Sequence, residues 1–160
     1  MIILLIGMCG TGKTWVMEQL IKYYVLSHRK KLGKIYYHTD NRIIVLGKYD
    51  GSMYQGTDKL SMSVMTDVDN FVQYAKDKIV ISEGDRFTNG KFIDKVSPLI
   101  IKITNDGKTG RIIRGSTQTE RHLKSIQTRV NNIKANIEVN NSTEALQTIK
   151  NIINNQIDGK

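Results

Sequence analysis

The sequence predicts an α/β fold of three layers, with helices on both faces of a five-stranded, mainly parallel sheet. Short apolar runs alternate along the chain with longer segments of helical spacing, and this alternation is typical of right-handed βαβ units. No internal repeat or linker divides the 160 residues, a length that suits one domain with a sizeable core. We therefore predict a single domain over residues 1–160. The predicted strands are residues 2–6, 34–38, 78–82, 99–103 and 136–139.

Each predicted helix carries its apolar residues on one face at helical spacing. The last helix begins near Asn141, with Glu144 three residues on, which is a pattern that caps a helix. The predicted helices cover residues 14–27, 68–75, 90–96, the second half of 105–134, and the chain from residue 141 onward.

Three further segments lie between these elements. Residues 42–47 (RIIVLG) form another short β-prone run. Residues 28–31 (HRKK) close the first helix, where cations are favourable, and we favour this solvated end over a nucleic-acid patch. Residues 48–58 form a polar, glycine-rich loop. A loop of this length inside a compact domain is usually functional or mobile.

The first strand leads directly into residues 7–14, GMCGTGKT, which fit G-x-x-x-x-G-K-[ST] at every fixed position. Glycines in such a loop let backbone N–H groups turn towards phosphates, and the next helix points its positive end at the anion. Lys13 would reach the β- and γ-phosphates, and the Thr14 hydroxyl would ligate Mg²⁺. The alternative is a strand-turn-helix with an incidental lysine. We predict a phosphate-binding loop (P-loop) with ATP and Mg²⁺ as cofactors. Its binding residues are Gly7, Gly10, Thr11, Gly12, Lys13 and Thr14.

A second candidate group follows the strand at residues 78–82, in the sequence Glu83-Gly84-Asp85-Arg86. A carboxylate beside a phosphate loop can hold Mg²⁺ through water, or accept a proton from an attacking hydroxyl. We place Asp85 with Thr14 at the metal and expect Arg86 to reach a substrate phosphate. The alternative is an acidic turn with Arg86 in a structural ion pair. Ligands bind at the carboxyl ends of parallel strands, so we expect the Gly7 loop, the Asp40 turn and this turn to converge.

Charge suggests a polyanionic partner, although only weakly. The net charge is +9 from 24 basic and 15 acidic residues, but a nucleotide-binding enzyme is also basic because its substrates carry phosphates. Residues 105–134 are the most basic block. The basic composition is compatible with a homodimer or with DNA complexes and does not distinguish between them.

Compartment is indicated by the single cysteine, Cys9, which cannot form an internal disulfide. It favours a reducing compartment, the cytoplasm, or the host cytoplasm for a viral protein. The apolar start lacks a basic leader, and nothing approaches the roughly 20 apolar residues of a membrane span. We expect no membrane partner.

These motifs resemble the P-loop kinases. Asp85-Arg86-Phe87 resembles the D-R-aromatic motif of thymidylate kinases, whose arginine holds the acceptor phosphate. Glu83 resembles the glutamate with which deoxynucleoside kinases activate a hydroxyl. Asp40-Asn41-Arg42 is similar to the Asp/Arg pair of polynucleotide kinases, where the aspartate is the general base. These likenesses imply different acceptors, so the base is left open among Asp40, Glu83 and Asp85.

The basic block resembles the lid of such kinases. Arg111-Ile112-Ile113-Arg114-Gly115 resembles the R-x-x-R-G that opens a lid, which implies a basic helical lid over about residues 105–134. Arg111, Arg114 and Arg129 would then close over the transferring phosphoryl group and neutralise its charge. The alternative is a solvated basic helix face.

A broader likeness joins residues 45–51, 56–62 and 83–86 to Leu123-Lys124 and Thr128-Arg129. These segments resemble a family of small bacteriophage P-loop kinases, some of which phosphorylate 5-hydroxymethyluracil in phage DNA. The resemblance implies that Asp50 and Asp58 face the acceptor. Ile126 stands where a basic lid residue is expected, which leaves Lys124 and Arg129 to supply that charge.

The sequence thus predicts an ATP-dependent kinase with the three-layer P-loop NTPase fold. Its acceptor is predicted to be nucleotide-like, and 5-hydroxymethyluracil in DNA is the first hypothesis. A deoxynucleoside monophosphate kinase is the alternative. The alternative from a different functional class is a DNA-stimulated P-loop ATPase or a nucleic-acid-binding protein without kinase activity. The chain has no N-K-x-D guanine-reading motif, which disfavours a GTPase.

Overall fold

The computed structural model describes residues 1–40, 42–52 and 55–159. Over this part of the chain, six α-helices flank a seven-stranded, mixed and mostly parallel sheet with the order β2-β3-β4-β5-β1-β6-β7. The strands are β1 (Ile2–Gly7), β2 (His28–Leu32), β3 (Ile35–Thr39), β4 (Ile43–Leu46), β5 (Ile79–Glu83), β6 (Leu99–Ile103) and β7 (Ile137–Val139). The helices are α1 (Lys13–Tyr23), α2 (Val68–Tyr74), α3 (Gly90–Val96), α4 (Lys108–Ile113), α5 (Glu120–Asn132) and α6 (Ser142–Asp158).

Strand β1 lies at the centre of the parallel part of the sheet. It pairs with β5 on one side, where Leu5 is opposite Glu83, and with β6 on the other. Its side chains from Ile3 to Ile6 are buried, as expected for a strand covered by helices on both faces. The two faces carry separate hydrophobic clusters. One includes residues of α1 and α6, and the other includes residues of α2, α3 and α5. The predicted α/β class, three layers and mainly parallel sheet are confirmed.

The strand count was wrong, because the sheet has seven strands rather than five. The β-prone run at residues 42–47 is β4, which pairs in parallel with β5. Residues 28–31 do not close the first helix. Helix α1 ends at Tyr23, Val25 has a left-handed φ of 52°, and β2 then pairs with β3 as an antiparallel edge strand. An edge strand can carry charged side chains along its length. The cations of β2 therefore replace the alternation of apolar and polar residues from which a strand is usually predicted.

The basic block at residues 105–134 contains two helices. Helix α5 begins at the cap residue Thr119, whose side chain accepts a hydrogen bond from the His122 amide. Ile126 and Val130 are buried in the second hydrophobic cluster. Helix α5 is therefore packed into the core, whereas α4 has no buried residue.

The predicted C-terminal helix is confirmed as α6. The Asn141 side chain accepts from the Glu144 amide at 2.9 Å, and Glu144 Oε2 accepts from the Asn140 amide at 2.8 Å. This reciprocal pair satisfies two amides at the helix start. None of the described helices is long and apolar enough to cross a membrane.

Candidate active site

The predicted phosphate loop, residues 7–14 and called the phosphate loop below, connects β1 to α1 and has a backbone that only glycine adopts easily. Gly10 and Gly12 have φ values of +87° and +90°, in the left-handed region. A Cβ on Gly10 would overlap the carbonyl oxygen of Gly107, and one on Gly12 would lie 2.8 Å from Ser142 Cβ. Both glycines are thus required by conformation and by space.

The start of α1 offers an anion site. Gly12 is its N-cap, no side chain caps it, and its first turn carries no acidic residue. Within the described residues, the backbone amides of Gly12, Lys13 and Thr14 have no protein acceptor. Unpaired amides at a helix N-terminus, together with the helix dipole, favour an anion at that position.

The Lys13 side chain folds back over the phosphate loop. Its Nζ donates to the carbonyl oxygens of Gly7 and Met8, at 2.9 Å each, and Thr11 Oγ1 also donates to the Met8 oxygen at 2.9 Å. Two carbonyl oxygens are weaker partners for an ammonium group than phosphate oxygens, because hydrogen bonds between two charged groups are stronger. The lysine is therefore placed to exchange them for a bound anion.

Glu83 is a buried carboxylate in the strand next to β1. It ends β5, directly opposite Leu5 of β1, and is 3% exposed. The Tyr49 hydroxyl donates to Glu83 Oε1 at 3.1 Å. Burial raises the pKa of Glu83 to about 7, with further upward contributions from the charges of Asp58 and Asp85, and the Lys13 charge opposes the rise. A carboxyl group that titrates near neutral pH can accept and release a proton under working conditions.

Asp58 lies against the turn that follows Glu83. Its Oδ1 accepts from the Asp85 amide at 2.8 Å, and the neighbouring Thr57 hydroxyl donates to the Glu83 carbonyl oxygen. A Cβ on Gly84 would lie 3.0 Å from Asp58 Oδ1, so the two segments touch. The pKa of Asp58 is raised because protein surrounds its carboxyl group, and the Asp85 charge adds to this, although the residue as a whole keeps an exposed surface. Lys13 lowers this pKa as well as that of Glu83. The phosphate loop and the acidic residues therefore form one electrostatic unit.

One arginine contacts the acidic turn from another element, and a second belongs to the turn itself. Arg129, from α5, pairs with Asp85 at 3.3 Å between Nη1 and Oδ1. Arg86 donates from Nε to the Leu60 carbonyl oxygen at 3.3 Å and is half-buried. The structure thus brings together Lys13, Asp58, Glu83, Asp85 and Arg129, all of which the sequence proposed for the site.

Helix α4 packs against the outside of the phosphate loop. Arg111 Nη1 donates to the carbonyl oxygens of Cys9, at 2.7 Å, and Asp106, at 2.5 Å. A Cβ on Gly107 would overlap the Cys9 carbonyl oxygen, and one on Gly110 would overlap that of Gly10. Sequence reasoning missed both glycines, and the run D-G-K-T-G was the available signal. Arg111 consequently braces the loop, while Arg114 at the end of α4 is exposed.

Asp40 is not part of this group, and its expected convergence with the loop was wrong. It occupies the β3–β4 turn, where its Oδ1 accepts from the Arg42 and Ile43 amides at 3.0 and 2.9 Å. Ile43 is opposite Ile79 at the start of β5, whereas the site lies at the end of β5. The antiparallel direction of β3 moves this turn to the opposite edge of the sheet. Asn41, part of the same motif, lies outside the described residues.

Asp50 and Lys124 are both held in local ion pairs. Lys59 contacts Asp50 at 2.7 Å, and this bond, with those from Ser52, holds the pKa of the exposed Asp50 carboxyl well below its usual range. Lys124 pairs with Glu120 at 3.1 Å, one helical turn away, and both are exposed. Exposed pairs of this kind contribute little to stability. Lys124 also lines a cavity of about 370 Å³ that reaches Met8 in the phosphate loop.

The described residues do not provide a complete set of metal ligands. No group of three or more His, Cys, Asp or Glu side chains among the described residues could hold a metal ion. The predicted ligands Thr14 and Asp85 are both half-buried. They fit Mg²⁺, which prefers oxygen ligands and usually keeps waters and substrate phosphates in its coordination sphere.

Sequence reasoning missed Tyr49 and the contact between Gln55 and Glu18. Tyr49 is 7% exposed although it belongs to a polar loop, and an aromatic residue among glycines and acids was the signal. Gln55 Nε2 donates to Glu18 Oε1 at 2.9 Å, which ties this loop to α1. The long loop at residues 48–58 is therefore anchored to α1 through Gln55 and to the end of β5 through Tyr49.

No protein-family model matches this chain, and no curated protein is similar to it in sequence. The function is therefore argued from the geometry of the site.

Proposed function

We propose that the protein is an ATP- and Mg²⁺-dependent P-loop kinase that transfers the γ-phosphoryl group to a nucleotide-type acceptor. One observation carries the proposal: Glu83 ends β5 opposite Leu5 of the strand that leads into the phosphate loop, and Asp58 contacts the turn that follows Glu83. The Lys13 charge lowers the pKa of both carboxyl groups. A phosphate-binding cation and a group of carboxylates with raised pKa values thus share one site. Perturbed carboxylates that adjoin an anion site favour a catalytic role over a structural one.

The topology supports the finer assignment to the P-loop NTPase fold. The five parallel strands follow the order β4-β5-β1-β6-β7, so β1 lies between two strands on each side. The loop after β1 is then at the point where the strand order reverses, which is where open α/β sheets bind ligands. In this interpretation the β2–β3 hairpin is an addition at the edge of a five-stranded unit.

The phosphate loop would bind the triphosphate. Amides of Gly10, Gly12, Lys13 and Thr14 would donate to phosphate oxygens, and Lys13 Nζ would leave the carbonyl oxygens of Gly7 and Met8 for the transferable group. When bound, ATP supplies that group and Mg²⁺ neutralises part of its charge. Thr14 and Asp85 would hold the metal ion, partly through water.

Glu83 is the proposed general base. The pKa of Glu83, at about 7, matches the requirement of proton transfer at neutral pH. Asp85 is paired with Arg129, and Asp40 lies at the opposite edge of the sheet. As the acceptor oxygen bonds to the γ-phosphorus, the bond from that phosphorus to the β–γ bridging oxygen would break and release ADP, and the acceptor's hydroxyl proton would pass to Glu83.

Water has to be excluded for a kinase to avoid hydrolysing ATP. We assign this role to residues 114–119, which follow α4 and are mostly exposed, because α4 itself packs against the phosphate loop and α5 is packed into the core. Arg114 would enter the site on closure, and Arg129 is already at the acidic turn. Lid closure would be limited to about residues 114–119, a shorter segment than the sequence predicted.

For the acceptor we propose 5-hydroxymethyluracil in DNA, supported by the net charge of +9 and the phage-kinase resemblance. Asp58 would face this acceptor beside Glu83, whereas Asp50 is occupied by Lys59. A reducing compartment agrees with the free Cys9 in the phosphate loop. The proposal treats the protein as cytoplasmic.

The deciding experiment supplies γ-labelled ATP with hydroxymethyluracil DNA and, separately, with free deoxynucleoside monophosphates. Label on the DNA supports the proposal. Label only on the monophosphates would favour the deoxynucleoside monophosphate kinase. ATP hydrolysis that DNA stimulates, with no phosphorylated product, would favour a P-loop ATPase and refute the kinase. The matched control is Glu83→Gln, which should reduce transfer to any acceptor by about 10²- to 10⁴-fold.

A further inference from the structure

The edge hairpin formed by β2 and β3 carries an unusual set of cations around one aromatic ring. We call Arg29, Lys31, Tyr36 and Lys48 the basic hairpin face. Arg29 pairs across the hairpin with His38, and Lys31 with Tyr36. Residues two apart in a strand share a face, so Arg29 and Lys31 lie on the same side as Tyr36 and His38. The sequence interpretation of residues 28–31 as a solvated helix end did not reveal this face.

Two ammonium groups lie close to one ring. Lys48 Nζ is 3.9 Å from the centroid of Tyr36, and Lys31 Nζ is 5.0 Å from it. Cation–π attraction accounts for each contact, but two like charges beside the same ring also repel each other. Tyr36 as a whole is half-buried and keeps part of its surface accessible.

These cations have no acidic partner in the part of the chain that the structure describes. Among the described residues, Arg29, Lys31 and Lys48 form no ion pair, whereas all five salt bridges lie elsewhere. Lysines on an edge strand protect it against pairing with other chains. That role requires charge on the edge, but not its convergence on an aromatic ring.

We propose that the basic hairpin face binds single-stranded nucleic acid. Phosphates would contact Arg29, Lys31 and Lys48, and a base would stack on Tyr36. Cations that follow a backbone beside an aromatic platform are the physical basis of single-strand binding. A bound strand would draw the ammonium groups onto its phosphates and leave the ring to a base. A duplex offers no free base face, so the ring favours single strands.

The position of this face gives the binding a use in the proposed kinase. A cavity of about 270 Å³ adjoins it and is lined by Arg29, His38, Gln55 and Tyr49, among others. Tyr49 is the residue that donates to Glu83. A strand on the hairpin would therefore run beside a cavity whose wall reaches the candidate base. Binding itself requires neither ATP nor the phosphate loop.

The test is binding of a fluorescent single-stranded oligonucleotide, followed by anisotropy without nucleotide over a range of salt. The double variant Lys31→Gln/Lys48→Gln should weaken binding and reduce the magnitude of the slope of log K against log[salt] by about 1.4, that is 0.7 for each lost phosphate contact. Tyr36→Leu should weaken binding roughly 5- to 150-fold and leave that slope unchanged. Tyr36→Phe, which keeps the ring, should restore affinity.

The matched control is Lys150→Gln. Lys150 Nζ lies 3.6 Å from the ring of Tyr23. The substitution therefore removes the same charge from the same kind of cation–aromatic pair elsewhere on the surface, and it should leave binding unchanged. The proposal is overturned if the wild type binds duplex more tightly than single strands, or if Lys150→Gln weakens binding as much as the hairpin variants do. Lys13→Ala separates the two proposals, because it should strongly reduce phosphoryl transfer and leave this binding intact.

Discussion

Tyr49 and Glu83 join the long loop to the end of β5 through one hydrogen bond of 3.1 Å between the phenol hydroxyl and Oε1. Both side chains are buried, and the bond holds one carboxylate oxygen in place. Burial raises the pKa of Glu83 and the Tyr49 bond opposes that rise. The loop therefore positions the candidate base and tunes its proton affinity.

Replacing Glu83 with Gln should reduce phosphoryl transfer by about 10²- to 10⁴-fold, the usual contribution of a general base. ATP affinity should change little, because Glu83 is not part of the phosphate loop. Activity of the wild type should rise with pH through about 7, where Glu83 loses its proton, and the residual rate of the variant should not. Transfer assays at pH 5.5 to 8.5 measure both effects. A variant that retains the wild-type rate would remove Glu83 from the mechanism.

Tyr49→Phe should shift the pH profile of transfer to higher pH. The hydroxyl stabilises the ionised carboxylate, so its loss raises the pKa of Glu83. Tyr24→Phe is the matched control, because it removes one hydrogen bond from a partly buried tyrosine, between its hydroxyl and Asn154 Oδ1 at 2.9 Å. The control should keep the wild-type profile. An unshifted or acid-shifted profile in Tyr49→Phe would contradict the assigned hydrogen bond.

Glu83 should also make folding stability depend on pH. Its pKa is raised from 4.5 to about 7 in the folded protein, so the folded state binds the proton more tightly than the unfolded state. Stability from this group is present below the unfolded pKa and is lost as pH rises through the folded pKa. Relative to Glu83→Gln, the wild type should lose up to about 3 kcal/mol between pH 4.5 and pH 8. Urea unfolding at several pH values measures the difference, and parallel curves for the two proteins would refute it.

Local patterns predicted part of this molecule well. The phosphate loop, its strand and its helix follow one another in the chain, so their relation is encoded within about 20 residues. Helix α6 was equally predictable, because its cap residues Asn141 and Glu144 and its apolar face are local. The acidic turn after β5 was also found from a buried strand that ends in carboxylates.

Contacts between distant segments were not predictable. The position of Asp40 depends on β3 running antiparallel to β4. An apolar run in the sequence predicts a strand but not the direction in which that strand runs in the sheet. Gly107 touches Cys9 across nearly a hundred residues. The proposal of Glu83 as base depends on its pKa, which Asp58 raises and the Tyr49 hydrogen bond lowers from other segments of the chain. Such information enters only when the chain is folded.

Gly107→Ala should displace the phosphate loop. A Cβ there would overlap the Cys9 carbonyl oxygen, and the φ of +67° adds strain. Gly115→Ala is the matched control, because Gly115 has a similar φ of +59° and open space around its Cβ position. Both should lose about 1–2 kcal/mol for the left-handed conformation, and Gly107→Ala should lose more and bind ATP more weakly. Thermal unfolding and nucleotide titration measure these effects. Equal behaviour of the two variants would show that α4 does not brace the loop.

Lys13→Ala should lower ATP affinity at least tenfold, since charge-assisted hydrogen bonds to phosphate are among the stronger ones in proteins. Lys22→Ala is the matched control, because Lys22 is exposed in the last turn of the same helix, and its loss should leave affinity unchanged. The Lys13 charge also lowers the pKa of Glu83, so residual activity in Lys13→Ala should require higher pH. Titration with a fluorescent ATP analogue measures the affinities. Undiminished affinity in Lys13→Ala would refute the nucleotide site, and with it every role assigned to the carboxylates opposite.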